Sequence, residues 1–180
     1  MKKGKANNGR MIAINILIFV VTFWIVALGI IYFVLKYYNK KNLEATERFV
    51  SHSSEFKPAL IQNIKLRYWT TSGRRTMISP NNLCDIYLFD NFLAIIRRQS
   101  FIFKVLFAPV LISPDITNTK NIFNYLTVYK PDRIIFNQVM KGQIEIKLKD
   151  PIYRGFKIDI TLKELTKEQL TQLAEIRNWC

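Results

Sequence analysis

GFKIDITL (155–162) runs, after three intervening residues, into TKEQLTQLAEIRNW (166–179), and this junction decides how the second half of the chain is read. In the first stretch Phe156, Ile158, Ile160 and Leu162 alternate with Lys157, Asp159 and Thr161. A period of two gives a strand one apolar and one polar face. In the second stretch Thr166, with Gln169 three residues on, has the form of a capping box, and Leu165 is placed to staple onto Leu170. Leu170, Leu173, Ala174 and Ile176 then form an apolar stripe extending to Trp179, with Lys167, Glu168, Gln172, Glu175 and Arg177 largely elsewhere. A half-buried strand is therefore followed by one amphipathic helix that closes the sheet.

The same alternation recurs upstream. Ile144, Ile146 and Leu148 alternate with Gln143, Glu145 and Lys147, while Ile64, Leu66 and Tyr68 alternate with Lys65, Arg67 and Trp69. Between these lie runs rich in β-branched and aromatic residues: LCDIYLF (83–89), FLAIIRR (92–98), FIFKVLF (101–107), IFNYLTVY (122–129) and RIIFNQV (133–139). Short turn signals separate them at Asp90-Asn91, Arg98-Gln99-Ser100, Ser113-Pro114-Asp115, Lys130-Pro131-Asp132 and Lys141-Gly142. Spacing this close leaves no room for the crossover helices that parallel strands require, so the sequence predicts a mainly β, α+β domain built as an antiparallel meander.

Toward the N-terminus the pattern changes twice. Residues 36–63 read as a juxtamembrane linker, helical in KNLEATERFV (41–50) and broken in SHSSEFKP (51–58), with Pro58 and the Ser cluster marking the boundary of a domain over 64–180. Residues 11–35, MIAINILIFVVTFWIVALGIIYFVL, contain no charge and exceed the roughly 20 residues a helix needs to cross a bilayer. Asn15 and Thr22 are the clearly polar members, and Tyr32, Tyr37 and Tyr38 cluster with Lys36, Lys40 and Lys41 at the far end as an aromatic belt beside snorkelling cations. A cleavable signal has a shorter apolar region and a small-x-small exit, whereas this run leaves through VLKYYNK. A buried core helix fails on length and all-round hydrophobicity. The reading is a basic tail (1–10) followed by a single-pass transmembrane helix in the cell membrane. Lys2, Lys3, Lys5 and Arg10 before the span balance Lys36, Lys40, Lys41 and Arg48 after it, so charge does not assign the side on which the domain lies.

The order of elements, an antiparallel meander from IKLRYWTT (64–71) to GFKIDITL with an amphipathic helix directly after it, resembles the pleckstrin-homology-like (PH-like) superfold, and within it bacterial membrane-anchored members. The resemblance implies a partly open barrel of about seven strands, where the runs above number eight, closed at one end by the helix. It implies recognition of phospholipid or protein and no catalysis. The phosphoinositide-binding type carries spaced basic residues around its first strand-to-strand loop. Here Lys65 and Arg67 on the first strand, with Arg74 and Arg75 in the SGRR turn (72–75), occupy that region and are the candidate lipid or phosphate contacts. Guanidinium forks and turn amides suit a phosphate, and a solubilising basic turn has the same composition.

Composition narrows the remaining classes. The chain holds 27 Lys and Arg against 13 Asp and Glu, a net charge of +14 with pI ≈ 9.9. Four cations precede the span and every acid follows it, leaving 23 cations against 13 acids, or +10, beyond it. That balance suits an anionic surface. Arg97, Arg98 and Lys104, and Lys141, Lys147 and Lys149, are read as the solvated cations of a sheet. A helix-turn-helix, an RNP-like aromatic motif and a KH loop are all missing, which argues against nucleic acid as the partner. His52 is the one histidine and lies in the linker, leaving a triad or His-containing metal site without its base or ligand, and no Walker or GxGxxG loop occurs. The expectation is a non-enzyme with no cofactor and no metal. Cys84 reads as a small buried hydrophobe, and a bridge to Cys180 would require export and suitable geometry. Two functions fit: a membrane-tethered interaction module for anionic lipid or partner membrane proteins, or a bitopic accessory subunit of an envelope assembly.

Overall fold

A computed structural model describes residues 4–72, 75–98, 107–137, 139–140, 142–149 and 156–180. The chain divides into two compact units, residues 1–40 and 41–180, and each is described by itself. The first is the apolar part of helix α1 (Gly4–Ser53), which already begins within the basic tail. Its large side chains from Ile16 to Val34 are exposed on every side, Phe19 at 72% and Trp24 at 60%. The most apolar stretch has a mean hydropathy of 2.8, and the helix is long and apolar enough to cross a membrane.

The second unit begins at Lys41, inside α1. A 3₁₀ turn (Ser54–Phe56) and Lys57 in the left-handed region (φ 47) lead the chain into β1 (Ala59–Ser72), which starts earlier than the expected Ile64. A β-bulge explains the difference. Ile61 and Ile64 are both buried although three residues apart, because Asn63 adopts φ 59 and the register slips between them; Ile61 pairs with Ile86 and Ile64 with Cys84. An inserted residue breaks the period of two, which hides the strand's beginning.

Seven further strands follow: β2 (Arg75–Leu88), β3 (Leu93–Arg98), β4 (Val110–Ile112), β5 (Val128–Tyr129), β6 (Pro131–Phe136), β7 (Ile144–Lys149) and β8 (Phe156–Lys163). They form one sheet in the order β5-β4-β3-β2-β1-β8-β7-β6, so the count among the described residues is eight rather than about seven. Its two edge strands, β5 and β6, are joined by Lys130 alone, and one linking residue holds those ends within about 8 Å. The sheet therefore curls almost into a barrel.

Two expectations change between Ser113 and Tyr129. Residues 116–121, left between the runs, form with Ile122 a helix, α2 (Ile116–Ile122); the run 122–129 supplies only the short strand β5, and β5 pairs in parallel with β4, which breaks the all-antiparallel meander. α2 is the crossover, a single short helix, that the close spacing of the runs argues against. The SPD turn signal is its N-cap: the Asp115 carboxylate accepts from Asn118 N–H at 3.1 Å, and the buried Ser113 and Thr119 hydroxyls bond to each other at 2.9 Å. The run 101–106 lies outside the described residues.

Two apolar clusters share the sheet between them. The barrel interior gathers Ile64, Leu66, Cys84, Ile86, Ile146 and Ile160 with many like them. It is capped by α3 (Lys167–Gln172), whose capping box is formed as expected, and by a 3₁₀ continuation (Leu173–Trp179). Leu173 and Ile176 are fully buried, Leu170 and Trp179 pack against the same core, and Ala174 is exposed instead of joining the stripe. Residues 170, 173, 176 and 179 are spaced by three, the repeat of a 3₁₀ helix, so the tightening at Leu173 keeps all four on one side. The second cluster lies on the opposite face of β3 and β4, where Ala94, Ile96 and Leu111 meet Phe123, Leu126 and Phe49. Phe49 is 0% exposed and its ring packs at 5.2 Å from Phe123 and 5.6 Å from Tyr87. The stretch read as linker thus supplies a wall of the domain.

Candidate functional site

Three of the four basic candidates, Lys65, Arg67 and Arg75, lie along the hairpin of β1 and β2. Lys65 lies on β1 opposite Lys163 and is paired with Glu164 at 2.7 Å, an exposed ion pair of small energetic weight. Arg67 rests its guanidinium 4.8 Å from the Trp69 ring centre, and the Trp69 indole N–H donates to the Asp159 carboxylate at 2.8 Å. Arg75 opens β2 in register with Ser72, and Arg74 lies outside the described residues. Ser72 is seven positions along the strand from Lys65, roughly 23 Å when extended, so one small ligand does not span them.

The strand register brings a larger basic group together. On the polar face of β1, β8 and β7, Trp69 stands opposite Asp159 and Asp159 opposite Lys147; in the next row Lys157 stands opposite Lys149. Lys147, Lys149 and Lys157 are exposed, and Arg133 on β6 is exposed opposite Lys147. Two lysine pairs, Lys65 with Lys163 and Lys149 with Lys157, place like charges directly across from each other. Such pairs destabilise a sheet unless an anion lies nearby. Each has one carboxylate at its border, Glu164 on Lys65 and Asp132 on Lys149 at 2.5 Å. The alternation of Lys147 and Lys149 was legible in the sequence, but the pairing that sets lysine against lysine depends on register and was not.

Arg97 and Arg98 do not act as two solvated cations. Arg98 pairs with the buried carboxylate of Asp85, which also accepts from Asn63 N–H at 3.2 Å, while Arg97 turns inward and is 7% exposed. Lys104 lies outside the described residues. Continuous burial of β3 on both faces explains the misreading: FLAII is apolar throughout and carries no phase from which to place the arginines.

Two clefts flank the barrel. One, of about 590 Å³, is floored by Phe56, Phe89, Phe92 and Ile122 with Asp90 and Glu175 at its edge; the other, of about 580 Å³, lies between Phe136, Leu165 and Leu170 with Lys167 and Arg177 beside it. His52 packs its ring 5.2 Å from Phe123 and 5.9 Å from Phe56. Among the described residues no three His, Cys, Asp or Glu side chains gather into a metal-sized group. Cys84 is a free thiol inside the barrel, pushed up to about 12 by burial and by neighbouring Asp85, and the exposed Cys180 is also free. Compared with protein-family models, curated proteins and solved structures, the chain matches none.

Proposed function

We propose that this chain is a single-pass membrane protein whose PH-like barrel is a non-catalytic interaction module for anionic surfaces next to the bilayer, the head groups of acidic lipids foremost. The observation that carries the reading is the strand register that sets Lys65 opposite Lys163 and Lys149 opposite Lys157 on a domain of excess positive charge. Such like-charge pairs, unfavourable on an isolated sheet, become favourable when an anionic layer lies over them. The apolar helix supplies the address, since tethering holds the domain within reach of head groups that it would otherwise meet only by diffusion. The order of strands and the closing helix support the PH-like description, and the unpaired edge of this barrel offers less purchase than its charged face.

Amine-reactive footprinting of the full chain in nanodiscs checks it. Lys147, Lys149, Lys157 and Lys163 are expected to label several-fold more slowly in discs containing acidic lipid than in purely zwitterionic discs, and high salt should restore the rate. Equal labelling in both discs, with protection appearing only when other membrane proteins are co-reconstituted, would replace lipid by an acidic protein partner.

A further inference from the structure

The interior of the barrel, at the end where β3 stops, holds a guanidinium that pairs with no carboxylate among the described residues. Arg97 stands opposite Cys84, on the face of β3 that also carries the buried Leu93 and Ile95. Its guanidinium carbon lies 4.1 Å from the Tyr68 ring centre and 3.8 Å from that of Phe107, and its Nε is buried with no hydrogen-bond partner. The neighbouring carboxylate, Asp85, is engaged by Arg98 and by Asn63 N–H, and no carboxylate bonds to Arg97 among the described residues.

Two aromatic faces return only part of the hydration that a buried guanidinium gives up. Burial pushes Arg97 below the usual arginine range, with Tyr68, Tyr129 and Cys84 opposing the shift. A side chain needed only to fill this space would be cheaper as Met or Leu, because apolar replacements of buried ions are often neutral or stabilising. The arrangement differs from a structural ion pair in the one respect that matters: the guanidinium lies against two rings instead of a carboxylate, and its Nε has hydrogen-bonding capacity left over. Pre-set planar donors in a water-poor site are what oxyanion recognition requires.

We propose that Arg97 anchors an anion-binding site in the mouth of the barrel, taking the phosphate or other oxyanion group of a small molecule or of a lipid head group. The site is separate from the basic sheet face and stands or falls independently of it. Its signature is a trade of stability for binding: Arg97 costs the unliganded fold and returns that cost when an oxyanion arrives.

Thermal unfolding of the full chain in nanodiscs tests this. In zwitterionic discs, inorganic phosphate at constant ionic strength, with chloride as the reference, should raise the midpoint by a few degrees. Arg97→Met should raise the midpoint without phosphate and abolish the response to it. Arg97→Lys, which keeps the charge and loses the planar fork, should weaken the apparent affinity about tenfold. A response to phosphate in zwitterionic discs assigns a soluble ligand; a response that needs phosphatidic acid in the disc, and is likewise lost in Arg97→Met, assigns a head group. A midpoint that neither probe raises in an Arg97-dependent way, together with an Arg97→Met variant that is less stable than the parent, would overturn the proposal and leave Arg97 as a packing element.

Discussion

Leu173→Asp is expected to destabilise the domain by about 4 kcal/mol or more, enough to unfold many domains of this size at physiological temperature. Leu173 is 0% exposed and lies where α3 tightens, in contact with the core that Ile144, Ile160 and Leu162 form below it. An aspartate there loses the packing of a buried leucine and adds a carboxylate with no partner, and both costs fall on the same site. Ala174, next in sequence but exposed, gives the control: Ala174→Asp should change stability by no more than about 0.5 kcal/mol. Denaturant unfolding of the full chain in a mild detergent reads both. A midpoint that barely moves in Leu173→Asp would mean that the helix does not close the barrel.

Phe49→Ala is expected to cost about 3–5 kcal/mol, the range for an aromatic ring removed from a packed core. The value matters because Phe49 lies in the segment that reads as a linker, and a linker residue would cost almost nothing. Its ring meets Phe89, Phe123 and Tyr87 in edge-on or tilted contacts, and such rings contribute beyond the area they bury. Val50, its neighbour at 39% exposure, should tolerate alanine with little change. Comparable small effects at 49 and 50 would show that the domain starts at β1 and that the helix end only leads to it.

These residues also show how much of the molecule could be read in advance. The strands at 144–149 and 156–163 carry an undisturbed period of two, and they, the apolar run and the capping box of the terminal helix are found where their patterns lie, although that helix tightens at Leu173 and leaves Ala174 exposed. Patterns failed where two faces are buried at once or where the backbone breaks step. In the helix from Lys41 to Ser53, Phe49 faces the core while Leu43 and Val50 face outward, so the apolar residues fall on both sides and no stripe stands out. In β1 the bulge at Asn63 moved the apparent start, and in β3 burial on both faces concealed which arginine points inward. α2 was missed because ITNTKNI is poor in strong helix formers; Asp115 and the Ser113–Thr119 hydroxyl bond secure it through tertiary context instead. Of the candidate site, the individual cations were visible, but the lysine pairs belong to strand register, a long-range property that composition does not encode.

The basic sheet face carries the proposed function, and Trp69 sits on it as a built-in reporter, half-buried between Arg67 and Asp159. With Trp24 and Trp179 replaced by Phe, the fluorescence of Trp69 in the full chain can be followed in nanodiscs made with head-group-proximal brominated lipids, which quench only at close range. Strong quenching in discs containing acidic lipid, relieved by high salt and absent from zwitterionic discs, is the expected result. Fluorescence indifferent to lipid charge would contradict it, because the face would then have no anionic membrane to meet.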